Sequence, residues 1–114
     1  MNTSEINVGI DTSSQQLDIY VRPNGHFFSV KNNKEGIKDA IKQLQPLKPK
    51  RVLIESTGRL ELDFVCAAYK AGPPVVVCNP AQIRNFAKSA GRIAKTDKLD
   101  AMDIAHFGEA MKPR

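Results

Sequence analysis

Apolar and polar positions along the chain fall into segments whose periods select strand or helix. Ile6-Asn7-Val8-Gly9-Ile10-Asp11 is a short, mostly apolar run of the kind a buried strand shows. Leu17, Ile19 and Val21 alternate with Asp18, Tyr20 and Arg22, the period of two of a half-buried strand. Pro23-Asn24-Gly25 marks a turn, because Asn and Gly tolerate positive φ, and His26 to Lys31 returns as a third strand. The chain is therefore predicted to open with an antiparallel meander.

The pattern then changes. A helix is predicted from about Asn33 to Gln45, with Ile37, Ile41 and Leu44 on one face and Pro46 and Pro49 stopping it. Lys50 to Glu55 is a fourth strand, whose run Val52-Leu53-Ile54 suits a central parallel strand covered on both faces. A turn at Thr57-Gly58 leads into a helix from about Arg59 to Ala71, ended by Gly72, and Val75-Val76-Val77-Cys78 is a fifth strand. Asn79-Pro80 opens a helix to about Ser89, with Pro at the first helical position. After a break near Gly91, Thr96 is expected to cap a last helix from Asp97 to about Ala110. The order βββαβαβαα implies an α/β fold: a mixed sheet of three antiparallel strands followed by parallel βα units, with helices on both faces.

Composition narrows the classes. The 114 residues suit one domain, and 41% hydrophobic with 25% charged is a globular balance that excludes a disordered chain. No apolar stretch reaches the ~20 residues a membrane-crossing helix needs. Met1-Asn2-Thr3-Ser4-Glu5 has neither the charged nor the apolar region of a signal peptide, so a cytoplasmic location without a membrane partner is expected. Cys66 and Cys78 stand in no CxxC pair and have no ligand-spaced histidine; both are expected to be small buried residues rather than a zinc site. A net charge of +5 changes little by itself, but its distribution matters. Between residues 81 and 98, Arg84, Lys88, Arg92, Lys95 and Lys98 face the single acid Asp97. Arg84, Lys88 and Arg92 are four apart, a helical stripe drifting about 40° per step, and such a stripe suits phosphate backbones.

Four carboxylates carry the candidate chemistry. Asp11 and Glu55 each end a predicted strand, and ligands of open α/β sheets bind outside the carboxyl ends of parallel strands. Asp97 and Asp100, three apart, are predicted to share a helix face. Four like charges brought together call for divalent cations, and hard oxygen ligands favour Mg²⁺ or Mn²⁺. Two such ions about 3.5–4 Å apart support phosphodiester chemistry without a His, Cys or Lys nucleophile. Taken singly the acids have plainer roles: Asp11 as a cap on the turn at Thr12-Ser13-Ser14, Glu55 as a surface partner of Arg59, Asp97 as a helix-dipole partner, and nearby Asp103 on a solvated helix face. Phe86 is read as core, His26 as structural or exposed, and His106 as a complement to the last helix's C-terminal dipole.

Gly9-Ile10-Asp11-Thr12-Ser13 with Leu17-Asp18, then Glu55-Ser56-Thr57-Gly58, Asn79-Pro80, and Lys95-Thr96-Asp97-Lys98-Leu99-Asp100-Ala101 together resemble the DEDD transposases, a family that includes the Piv-type DNA invertases and the bridge-RNA-guided recombinases. The resemblance covers nearly the whole chain, with Ser56 standing where the family often has Ala. It implies an RNase H-like (Holliday-junction-resolvase-like) fold and a metal-binding, catalytic tetrad of Asp11, Glu55, Asp97 and Asp100 holding two Mg²⁺ or Mn²⁺ ions. It further implies DNA as substrate, with Arg84, Lys88, Arg92, Lys95 and Lys98 as nucleic-acid contacts, guide RNA as a partner in part of the family, and a homo-oligomer when full-length. The family's C-terminal domain, which supplies a serine nucleophile, has no counterpart before Lys112-Pro113-Arg114. Residues 1–114 are therefore expected to be a single DEDD catalytic domain that does not complete strand exchange alone. Two other readings stand beside this one. One is a non-catalytic remnant that binds nucleic acid or dimerises. The other is a fragment of an actin-like ATPase, whose first phosphate loop Gly9-Ile10-Asp11-Thr12-Ser13 also resembles.

Overall fold

Residues 5–91 and 100–113 are described by a computed structural model. The elements are β1 (Asn7–Thr12), β2 (Gln16–Arg22), β3 (His26–Lys31), α1 (Lys34–Leu44), β4 (Arg51–Glu55), α2 (Leu62–Ala71), β5 (Val75–Cys78), α3 (Pro80–Ser89) and α4 (Ala101–Met111), with a 3-10 turn at Gln45–Leu47. They form one five-stranded sheet in the order β3-β2-β1-β4-β5. β1, β2 and β3 pair antiparallel, and β4 pairs parallel with both β1 and β5. This is the mixed α/β sheet that the strand and helix periods predict.

Register explains the core. Val8 pairs with Val21 and Val52, and Ile10 with Ile19 and Ile54, so these side chains share one face. α1 and α2 cover that face with Ile37, Ile41, Leu44, Phe64 and Ala68. The other face carries Leu53 and Cys78, covered by Ile83 and Ala87 of α3 and by Ile104 and Phe107 of α4. β4 is thus buried from both sides, which is why it reads as an unbroken apolar run. Asn33 and Asn79 cap α1 and α3, their side-chain oxygens accepting from the N–H groups of Gly36 and Ala81 at 2.8 Å each.

Two helix starts differ from expectation. α2 begins at Leu62, not Arg59, because Gly58 (φ +75°) and Arg59 (φ +117°) lie outside helical backbone. α4 begins at Ala101, not Asp97. Asp100 is its N-cap in extended conformation, its Oδ1 accepting from the Asp103 N–H at 2.9 Å while the Asp103 carboxylate accepts from the Asp100 N–H at 3.3 Å. This reciprocal capping buries Asp103, which is therefore not on a solvated face. His106 likewise sits mid-helix, its ring 5.0 Å from that of Phe86 and edge-on to it, rather than at the helix C-terminus.

The cysteines separate as well. Cys78 is buried as expected, but Cys66 is exposed. It lies two positions from both Phe64 and Ala68, the buried residues of α2, a rotation of about 200° from each. Burial pushes the Cys78 thiol up from its ordinary 9.0 to about 11. Iodoacetamide at pH 8 should therefore alkylate Cys66 and spare Cys78 until the protein unfolds, as read by peptide mass analysis; modification of both at similar rates would contradict the packing. Because the folded pKa is the raised one, this thiol's contribution to stability holds below pH 9 and is lost as pH rises toward about 11.

Candidate functional site

Asp11 and Glu55 directly follow the paired residues Ile10 and Ile54 on adjacent parallel strands. They stand side by side at the carboxyl edge of the sheet, both half-buried. Alternation along β1 and β4 puts them on the face that carries Gly9 and Leu53, the face roofed by α3 and α4. Asp11 is also paired across the antiparallel ladder with Asp18, which shares its face. Like charges directly opposite destabilise a sheet. The Asp18 carboxylate is held by the Ser29 hydroxyl at 2.7 Å and the Gln16 amide at 2.6 Å.

α4 supplies the third acid. A Cβ on Gly9 would overlap the carbonyl oxygen of Ala101 and the backbone nitrogen of Ala105, so helix and strand backbones meet there without an intervening side chain. Farther along, Gly108 packs against Leu53 and Glu109 pairs with Arg22 at 2.8 Å. Arg51 at the opposite edge donates to the Pro113 carbonyl at 3.3 Å. The helix therefore starts over the carboxyl end of β1 and runs back toward the amino end. Asp100, one residue before Ala101, is placed at the same edge and face as Asp11 and Glu55, and it is exposed. Asp97 lies outside the described residues. Among the described residues, no group of three or more His, Cys, Asp or Glu side chains stands close enough to enclose a metal ion.

The loops behind these acids are tied together. Ser13 organises the turn after β1, its Oγ accepting from the N–H groups of Gln15 and Gln16 at 3.3 and 3.0 Å. The Asn32 amide donates to the Ser13 carbonyl at 2.9 Å and the Leu60 carbonyl at 3.2 Å, joining the loop after Asp11 to the loop after Glu55. Within the second loop, buried Glu61 accepts from the N–H groups of Thr57 and Arg59 and from the Thr57 hydroxyl. Sequence reasoning missed Asp18, Asn32 and Glu61 as parts of this edge. The period-two pattern of β2 carried a signal for Asp18, since a short turn after Asp11 brings Asp18 opposite it.

Of the basic residues, Arg84 and Lys88 lie on α3, which starts beside Cys78, the β5 partner of Glu55. Arg84 is half-buried about 6 Å along the helix axis from Pro80, and exposed Lys88 about 12 Å along it. Arg92, Lys95 and Lys98 lie outside the described residues. Phe86 is half-buried and stacks edge-on against Phe107 and His106, a packing role.

A mixed sheet in the order 3-2-1-4-5, with Asp11 and Glu55 directly after the paired stretch of its central parallel strands, makes an α/β domain compatible with an RNase H-like fold. A family model described as a transposase, DEDD_Tnp_IS110, matches residues 8–114. The chain belongs to this DEDD transposase family. Comparison with curated proteins finds no match.

The Gly9 contact makes a direct test of how the edge is built. Gly9→Ala should push the α4 backbone off β1 and destabilise the domain by about 3 kcal/mol or more, at or above the usual overpacking range because backbone atoms are in the way. The Tm should fall by roughly 10 °C; an unchanged Tm would show that the helix does not rest on Gly9.

Proposed function

We propose that this domain performs metal-dependent phosphodiester chemistry on DNA as the N-terminal catalytic part of a transposase or site-specific recombinase. Asp11, Glu55, Asp97 and Asp100 would hold two Mg²⁺ or Mn²⁺ ions. The observation that carries the reading is the adjacency of Asp11 and Glu55 on in-register parallel strands, with Asp100 brought to the same edge by α4. This donor set consists only of carboxylate oxygens, which suits hard divalent cations and not zinc. When bound, the ions supply activation of an attacking water or 3′-hydroxyl and stabilisation of the leaving oxygen.

The chain's own residues do the positioning. The strands hold Asp11 and Glu55 on a rigid sheet edge, and helix capping holds Asp100. Arg84 and Lys88, with Arg92, Lys95 and Lys98, would carry the phosphates of a backbone that the carboxylates alone would repel. A guide RNA, homo-oligomeric assembly and a cytoplasmic setting belong to the same reading, as does the need for a serine-bearing second domain to complete strand exchange. A non-catalytic remnant would keep Glu55 beside Asp11 as well, so turnover and not geometry separates the two readings.

Asp11→Asn and Glu55→Gln should each weaken Mn²⁺ binding, measured calorimetrically, by at least ~10-fold, since even residues one step behind a ligand cost that much. In metal-free buffer the same variants should bind branched DNA as well as the wild type or better, because a repulsive charge has gone. Mn²⁺ affinity left at the wild-type value in both variants would refute the assignment. Cleavage of branched DNA with Mn²⁺ separates an active domain from a binding remnant.

A further inference from the structure

We propose that Glu61 is a positioning residue for Glu55, acting by clamping the strained loop between β4 and α2; this rests on the assignment of Glu55 as a metal ligand. Glu61 is only 6% exposed. Its Oε1 accepts three hydrogen bonds, from the Thr57 N–H at 3.2 Å, the Thr57 hydroxyl at 3.3 Å and the Arg59 N–H at 3.2 Å. All three donors precede it in the chain. Glu61 occupies the N-cap position of α2, yet its side chain caps nothing in that helix. A carboxylate serving its own helix would instead bond to N–H groups two or three residues later. This one is turned back into the loop that begins one residue after Glu55.

The loop has a shape that does not form by itself. Gly58 and Arg59 are consecutive residues at φ +75° and +117°. Glycine adopts such values freely, but a side-chain-bearing residue like Arg59 is strained there and stays only where its surroundings impose it. The Glu61 carboxylate meets the Arg59 N–H, while the Arg59 carbonyl accepts from the Leu62 N–H at 3.2 Å, and the two together hold it there. Two further anchors of the loop bear directly on the acidic edge. The Ser56 N–H donates to the Cys78 carbonyl at 2.9 Å, and the Leu60 carbonyl accepts from Asn32, which also holds Ser13 beyond Asp11. Released from Glu61, Arg59 relaxes toward ordinary φ, the chain between Ser56 and Leu60 changes course, and the end of β4 that carries Glu55 loses its fixed exit.

The test compares Mn²⁺ affinity by calorimetry and Tm for the wild type, Glu61→Ala, Glu61→Gln, Arg59→Gly and the double variant Glu61→Ala/Arg59→Gly, with Asp11→Ala alongside. Glu61→Ala should lower Mn²⁺ affinity about 10-fold with the far-UV circular dichroism unchanged. Glu61→Gln, whose amide oxygen accepts the same bonds, should stay near the wild type. Arg59→Gly alone should raise Tm, and in the double variant it should recover part of the lost affinity, because glycine takes the loop's φ without a clamp. A residue that only supported α2 would show no such recovery. Wild-type affinity in Glu61→Ala, equal losses in Glu61→Ala and Glu61→Gln, or no recovery in the double variant would each overturn the proposal. Should Glu61→Ala fail to fold, Glu61→Asp, which keeps the charge but is one methylene short, must show the loss instead. If Asp11→Ala leaves Mn²⁺ binding intact, the metal-site reading itself has failed; if only the Glu61 variants behave like wild type, the clamp alone has.

Discussion

The contact on which one half of this molecule depends is a meeting of two backbones. Gly9 leaves no side chain between β1 and α4, and the carbonyl of Ala101 and the amide of Ala105 lie where a Cβ would be. Without that close approach, the start of α4 would ride higher above the sheet and carry Asp100 away from Asp11. The far end of the helix is secured differently, by Gly108 against Leu53 and by the ion pair Arg22–Glu109, whose side chains are 31% and 38% exposed. Pairs that exposed contribute little to stability, typically 1 kcal/mol or less. The packing at the two glycines, not the charge pair, therefore sets where the helix lies.

A second constraint follows from the parallel register of β1 and β4. Placing Asp11 beside Glu55, with Asp18 opposite Asp11 on the same face, gathers negative charge at one edge of a small sheet. The structure answers part of this locally, since the Ser29 hydroxyl and Gln16 amide hold Asp18. It also departs from ordinary local rules nearby, with a non-glycine residue at φ +117° three residues before the first residue of the helix that follows β4. Departures of this kind gather where chemistry, rather than folding, selects the residues.

Much of this architecture was legible in the chain. Alternation in Leu17–Arg22, the turn at Pro23-Asn24-Gly25 and the apolar run of β4 each report a local physical requirement, and a mixed sheet follows from them with the crossover helices, though the order of its strands does not. Glu55 at the end of β4 was legible for the same reason, and Asp11 was placed within one residue of the end of β1, which continues through Thr12. The start of α4 was not, because Thr96 and Asp100 are both good N-caps. The deciding cue is the residue three later: Leu99 after Thr96, but Asp103 after Asp100, which can return the capping bond. Cys66 was misplaced because its exposure depends on helix phase, which a shift of two residues reverses. Glu61 was illegible for a deeper reason. Whether a carboxylate caps forward or turns back into its loop depends on backbone angles at Gly58 and Arg59, and nothing in the residue types announces Arg59's positive φ.

The capping geometry also resolves an apparent conflict in assigning Asp100 two roles. A helix N-terminus carries partial positive charge, so α4 aimed at a divalent cation is by itself unfavourable. Asp100 and Asp103 stand at that terminus and offset it, exchanging bonds through Asp100 Oδ1 and Asp103 Oδ2. A carboxylate has two oxygens, and capping through Oδ1 does not use Asp100's other one. Under the proposed assignment, cation binding through Oδ2 leaves the helix cap intact, while the cap holds the carboxylate at the sheet edge. Helix order and metal affinity then reinforce each other, since whatever disturbs the cap releases the ligand together with the first turn of the helix.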